Sequence, residues 1–128
     1  IAHLCQLHDA REEFLLYTGT DDCLLPALTA GVDGSMTALA AGMPPLVSSV
    51  YKAYAAGDSQ GASASQTRMM ALLKAADALP FPLGYKLVAE AYHGLSMTKR
   101  LHQLMAEENV AAAKSEIVEL VQRARQSQ

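Results

Sequence analysis

Hydrophobic and polar positions alternate in two regimes along this chain, short apolar runs first and long helical stripes afterwards. Ile1, Leu4, Cys5, Leu7 and His8 fall close to helical spacing, which predicts a helix ending near Arg11–Glu12. Phe14 to Thr18 is a continuous apolar run entered from charged residues and left through Gly19, the pattern of a strand buried on both faces. Asp21 or Asp22 is placed to cap a helix through about Ala30, with Pro26 in its first turns and Gly31 beyond its end. Gly34 to Ala38 reads as a second, weaker strand. Strand, helix and strand joined by short turns form a βαβ unit, so the two strands should be parallel neighbours.

From Gly42 onward the period is helical. Pro44 and Pro45 open a helix with Leu46, Val47, Val50, Tyr51 and Tyr54 on one face, and Gly57 closes it. Asp58 can cap a longer helix in which Met69, Leu72, Leu73 and Ala76 repeat at three and four until Pro80. Within it, Gly61 to Gln66 is small and polar and reads as an exposed helical turn. Leu83, Leu87, Val88, Ala91 and Tyr92 make another stripe between Pro82 and Gly94. Asn109 is the expected cap of the last helix, with Ala113, Ile117, Leu120, Val121 and Ala124 inward and Lys114, Glu119 and Arg123 outward. These patterns divide the chain near Gly57, into residues 1–57 with the βαβ unit and a helical part at 58–128.

Two parallel strands cannot close a sheet. Each leaves unpaired N–H and C=O groups along an edge, and a run as apolar as Phe14–Thr18 needs cover on both faces. The missing neighbours are expected from sequence that precedes Ile1, where no initiator Met stands, or from another chain.

Composition narrows the function classes. With 51% hydrophobic residues in 128, there is ample material for a core. A net charge of −3 with acidic and basic residues scattered gives no basic stripe, and no aromatic interleaving marks a nucleic-acid surface. The most apolar segment, Leu24 to Val47, is broken by Asp33, glycines and prolines, so no membrane span is expected. No signal peptide is evident. Cys5 and Cys23 are too few for a disulfide framework and are expected reduced and buried, in a cytoplasmic protein.

Isolated reactive side chains offer little chemistry. His3 and His8 are five apart and face different ways, and His93 and His102 have no ligand-type partner at useful spacing, so no metal site is expected. Ser48 and Ser49 lie within a helix without a nearby base and read as solvent-facing. Met69 and Met70 read as core filler, and Tyr51, Tyr54, Tyr85 and Tyr92 as packing and interface residues.

The stretch Phe14-Leu15-Leu16-Tyr17-Thr18-Gly19-Thr20-Asp21-Asp22, followed by Ala30-Gly31-Val32-Asp33-Gly34-Ser35-Met36, resembles the seventh and eighth strands of the dihydrodipicolinate synthase and N-acetylneuraminate lyase family. Val50 to Asp58 is similar to the family's eighth helix and its exit, and Phe81-Pro82-Leu83-Gly84-Tyr85-Lys86 to the start of a helix in its C-terminal extension. The order and spacing carry the resemblance more than any single motif. Beyond Gly94 it fades, with Lys99-Arg100-Leu101-His102 where an Arg- and Pro-rich segment is expected.

The resemblance implies an α/β fold, the C-terminal part of a TIM (β/α)₈ barrel with strands 7 and 8 and their helices, followed by a C-terminal helical bundle. It implies a class I aldolase chemistry without cofactor, in which a lysine forms an imine with pyruvate and a tyrosine relays protons. Both residues would lie before Ile1, so no catalytic residue falls in this chain and the chain alone would be inactive. Lys52, Lys74 and Lys86 are on helices outside the barrel and are poor candidates for the imine. Gly19, Asp21, Asp22 and Met36 match positions at the substrate, Met36 through its backbone carbonyl, while Asp21 or Asp22 can equally be a helix cap. Ala38 replaces a serine found in sialate lyases, which argues against sialic acid. The implied substrate is pyruvate or another 2-oxo acid. Cleavage of a 2-keto-3-deoxy sugar acid is favoured over dihydrodipicolinate-type condensation, and a dimer or tetramer is the expected assembly. The reading from another class is an inactive paralogue or fragment that serves as an assembly module.

Overall fold

A computed structural model describes residue 6 and residues 14–97 and 107–126. The predicted helix before Glu12, Cys5, His3, His8 and His102 lie outside the described residues, Gln6 excepted.

Strand β1 (Tyr17–Thr18) pairs in parallel with β2 (Gly34–Ser35), Tyr17 opposite Gly34 and Thr18 opposite Ser35. Helix α1 (Leu24–Thr29) connects them, which is the expected βαβ unit. The ladder extends by one bond each way, Asp33 N–H to Leu16 O at 2.8 Å and Met36 N–H to Thr18 O at 2.9 Å. Asp33 also accepts the Leu16 amide at 2.7 Å through Oδ2, which locks the entry of β1 to the entry of β2.

Both strands are shorter than the apolar pattern predicts. Phe14 and Leu15 stand outside β1, 43% and 63% exposed, and Tyr17 is 50% exposed, so the run is not buried on both faces. Strand length follows the number of paired neighbours, and among the described residues each strand has one. The second strand ends at Ser35. Ala38, expected in that strand, opens helix α2 (Ala38–Gly42) instead. Five small residues carry too little periodicity to reveal a single helical turn.

Helix α3 (Pro44–Ala55) begins with proline at N1, where no amide partner is lost. It stops before Gly57, whose φ of +73° only glycine adopts without strain. Asp58 caps α4 (Ser59–Asp77), accepting the Gly61 amide at 2.8 Å. Within it Ala62 and Ser65 are buried while Ser63 and Ala64 are exposed, so the small polar stretch is helical as expected but packs one face against the core. Helix α5 (Leu83–His93) ends on left-handed Gly94, and α6 spans Glu107–Gln126. The last helix therefore starts ahead of Asn109, which lies inside it.

One core joins these elements. Leu24 and Leu28 of α1, Leu39 of α2, Val50 of α3, Met69 and Leu72 of α4, Leu87 and Val88 of α5, and Ile117 and Val121 of α6 are all at most 2% exposed. Each such side chain contributes about 1.5–3 kcal/mol of transfer free energy. Helix α4 packs on α3, α5 and α6, and α2 packs on α5. Tyr54 reaches from α3 to donate to Leu28 O at 2.8 Å, yet it and Tyr51 remain partly exposed, as does Met70 beside buried Met69. No helix among the described residues is long and apolar enough to cross a membrane.

Candidate functional site

The chain leaves β1 through Gly19, Thr20, Asp21 and Asp22, and this turn borders an open cavity of about 310 Å³. The opposite wall comes from Ala38 at the start of α2, Leu73 and Asp77 on α4, and Phe81 and Tyr85 at the entry to α5. Gly19, Asp21 and Asp22 are therefore brought together. Met36, expected at the site through its backbone carbonyl, does not line this cavity; it is 79% exposed and its amide donates to Thr18 O. A Cβ built on Gly19 meets nothing within 4 Å, so the chain itself leaves that face of the turn open.

Asp21 and Asp22 are different groups. Asp21 is 7% exposed. Its Oδ2 accepts the Leu39 amide at 3.4 Å, so it caps α2, 18 residues on, and not the helix that follows it. The residue before that following helix, Cys23, supplies no side-chain cap. Asp21 Oδ1 and Thr37 Oγ1 are buried without a hydrogen-bond partner of acceptable geometry, although the Thr37 hydroxyl favours the charged carboxylate electrostatically. Burial is the largest influence on Asp21 and pushes its carboxyl above the usual range. Thr37 and the Leu39 amide oppose this, while Asp77 and Asp22 add like charge. Asp22, by contrast, is exposed towards the cavity.

Tyr85 donates to Asp77 Oδ1 at 2.7 Å within the far wall of the cavity. Burial, then this hydrogen bond, pushes its phenol well above the ordinary range, so it remains a donor at any working pH. Phe81, 70% exposed, meets Tyr85 edge to face at 5.6 Å. Thr18, Thr20 and Cys23 form a small polar cluster behind the turn, with Thr20 Oγ1 and Cys23 Sγ 2.7 Å apart. Cys23 is a free thiol, only half-buried.

Three contributors were not foreseen. Gln66 of α4 makes two hydrogen bonds to the turn and a third to Leu25 of α1, and Asp77 and Tyr85 build the far wall. None carries a local signal, because each acts on residues remote in sequence or across a proline-containing loop. Ser48 and Ser49 donate to the Pro45 and Leu46 carbonyls of their own helix. None of Lys52, Lys74 and Lys86 lines the cavity. No group of three or more metal-ligating side chains occurs among the described residues.

A parallel strand–helix–strand unit with polar side chains at the C-terminal end of a strand belongs to the α/β class, in which barrels place function at that end. The Dihydrodipicolinate synthetase family matches this sequence over residues 2–123, and the chain belongs to that family, whose fold is the TIM barrel. It is 39% identical over 77 residues to an uncharacterized DapA-like lyase of Thermofilum pendens, covering 59% of this chain and 26% of that protein. A second uncharacterized DapA-like lyase, from Halobacterium salinarum, is 35% identical over 83 residues, covering 65% of this chain and 27% of that protein. The chain thus spans about a quarter of the length of the curated relatives it matches.

Proposed function

We propose that this chain is the C-terminal part of a pyruvate-dependent carbon–carbon lyase or synthase that works through a lysine Schiff base. In this reading β1 and β2 are the seventh and eighth barrel strands, α3 closes the barrel, and α4 to α6 belong to a helical extension. The remaining strands cover the exposed Phe14, Leu15, Tyr17 and Met36 and pair with the open strand flanks. Such a protein works in the cytoplasm as a dimer or tetramer of complete barrels.

The observation that carries the reading is the Gly19–Asp22 turn, opening at the C-terminal end of a parallel strand onto a cavity of substrate size. The reaction needs a neutral amine to attack the 2-oxo carbon. Water leaves, and the protonated imine withdraws electrons so that the adjacent carbon can break or make a bond. Lys52, Lys74 and Lys86 do not line the cavity, and in this reading the amine is supplied by sequence outside this chain. What these residues supply is recognition of the rest of the substrate. Asp22 is an exposed acceptor for hydroxyl donors, Gly19 leaves room for a close backbone approach, and Asp21 holds α2 against the turn. Acceptors at this wall suit the hydroxylated tail of a 2-keto-3-deoxy sugar acid better than the short aldehyde of a dihydrodipicolinate-type condensation.

The test is Asp22→Asn in the full-length polypeptide, assayed on 2-keto-3-deoxygluconate. Loss of a charged hydrogen bond raises KM by about tenfold or more. Unchanged KM with unchanged kcat would remove Asp22 from the site.

A further inference from the structure

Helix α1 begins without any local cap. Cys23 precedes it and provides no side-chain acceptor, and its first turn holds no acidic residue. The first amides of a helix have no intrahelical partner and need one from elsewhere. For Leu25 the partner is Gln66, 41 residues later on α4, whose Oε1 accepts the Leu25 amide at 3.0 Å. The other end of the same amide group is also used. Gln66 Nε2 donates to Asp22 O at 3.1 Å and to Asp21 O at 3.3 Å. Only this orientation of the side chain works. The reverse would set nitrogen against an N–H and oxygen against two carbonyls.

One half-buried glutamine thus fixes three consecutive features: the carbonyls of both candidate site aspartates and the start of the helix behind them. Asp22 itself is exposed, so its side-chain direction is set by its backbone. That backbone is held from α4, the helix that also supplies Leu73 and Asp77 to the opposite wall of the cavity. We propose that Gln66 is a positioning residue, which sets the Gly19–Asp22 turn at the correct distance from the far wall and so determines affinity for the distal part of the substrate. The inference rests on the reading of that turn as a substrate wall. A glutamate in its place would keep the acceptor for Leu25 but turn a carboxylate oxygen towards the Asp21 and Asp22 carbonyls. Glutamine is the common side chain that offers both an acceptor and two donors at this length.

Gln66→Met, of similar length and without hydrogen bonds, and Gln66→Glu, which keeps the Leu25 bond, are compared with Asp22→Asn in the full-length polypeptide. Two readouts are taken: borohydride trapping of pyruvate, which reports an intact imine site, and KM for 2-keto-3-deoxygluconate. The expected result is unchanged trapping in both Gln66 variants with KM raised about tenfold, the scale of two neutral hydrogen bonds. If Asp22→Asn raises KM and neither Gln66 variant does, the positioning role is refuted while the substrate wall stands. If none of the three changes KM, the substrate wall fails and the positioning role with it. If trapping falls in parallel with sugar-acid turnover in both Gln66 variants, Gln66 serves stability alone and the inference is overturned.

Discussion

Gly84 of α5 lies against the backbone of Ala76 on α4, and replacing it by alanine should loosen the whole helical part. A Cβ built there falls against the Ala76 carbonyl oxygen, and lies 2.6 Å from Ala76 C and 2.7 Å from its Cα. These are backbone atoms buried in the core and cannot rotate aside. The helices must separate by roughly 1 Å, and a gap of that size forfeits about a quarter to a half of each dispersion contact along the seam. Buried Leu83 and Leu87 of α5 and Leu72 and Ala76 of α4 belong to the same core. Overpacking of this kind costs about 1–3 kcal/mol, and a rigid neighbour places it at the upper end. Alanine recovers at most about 1 kcal/mol through its helix propensity, and less near a helix start. The net loss is about 2 kcal/mol, a fall in Tm of roughly 4–8 °C for a protein of barrel size. Thermal unfolding of Gly84→Ala in the full-length polypeptide, followed by circular dichroism, measures it. An unchanged or raised Tm would mean that propensity outweighs packing and that the close crossing is not there.

Asp21→Asn separates burial from binding. Because burial raises the Asp21 carboxyl in the folded state, folding favours its protonated form, and the wild type loses stability as pH rises from 3.8 through the folded value. The variant, which keeps an oxygen for the Leu39 amide, should match the wild type in urea midpoint below pH 3.8 and exceed it increasingly above. A gap that opens as pH falls would contradict the burial of that carboxylate. Asp22→Asn, at an exposed side chain, should leave Tm within about 2 °C while it changes KM.

The parallel pairing of the two strands could be read from the sequence because Gly19, Gly31 and short turns bracket the apolar run and the helix between them. The helix ends were equally legible wherever one residue decides the backbone, as at Gly57 with Asp58 and at Gly94. Strand length was not, since Phe14 and Leu15 have the side chains of buried strand residues but no neighbouring strand among the described residues. The turn of helix at Ala38–Gly42 is stabilised by Asp21 from another element, a dependence invisible to periodicity. The acidic turn itself was recognised, but the division of labour between its two aspartates depends on burial. Gln66 sits in a polar stretch of α4 that reads as surface. Its partners at Asp21, Asp22 and Leu25 become neighbours only after α4 folds back across α1.

The central claim is that the reactive lysine belongs to the same polypeptide but not to these 128 residues. Incubating the full-length polypeptide with pyruvate, reducing with borohydride and mapping the modified peptide by mass spectrometry tests it directly. The expected result is a single pyruvyl adduct on a lysine upstream of Ile1, at the end of the strand expected beside β1, with Lys52, Lys74, Lys86, Lys99 and Lys114 unmodified. An adduct on any of those five, or none on the full-length polypeptide, would contradict it.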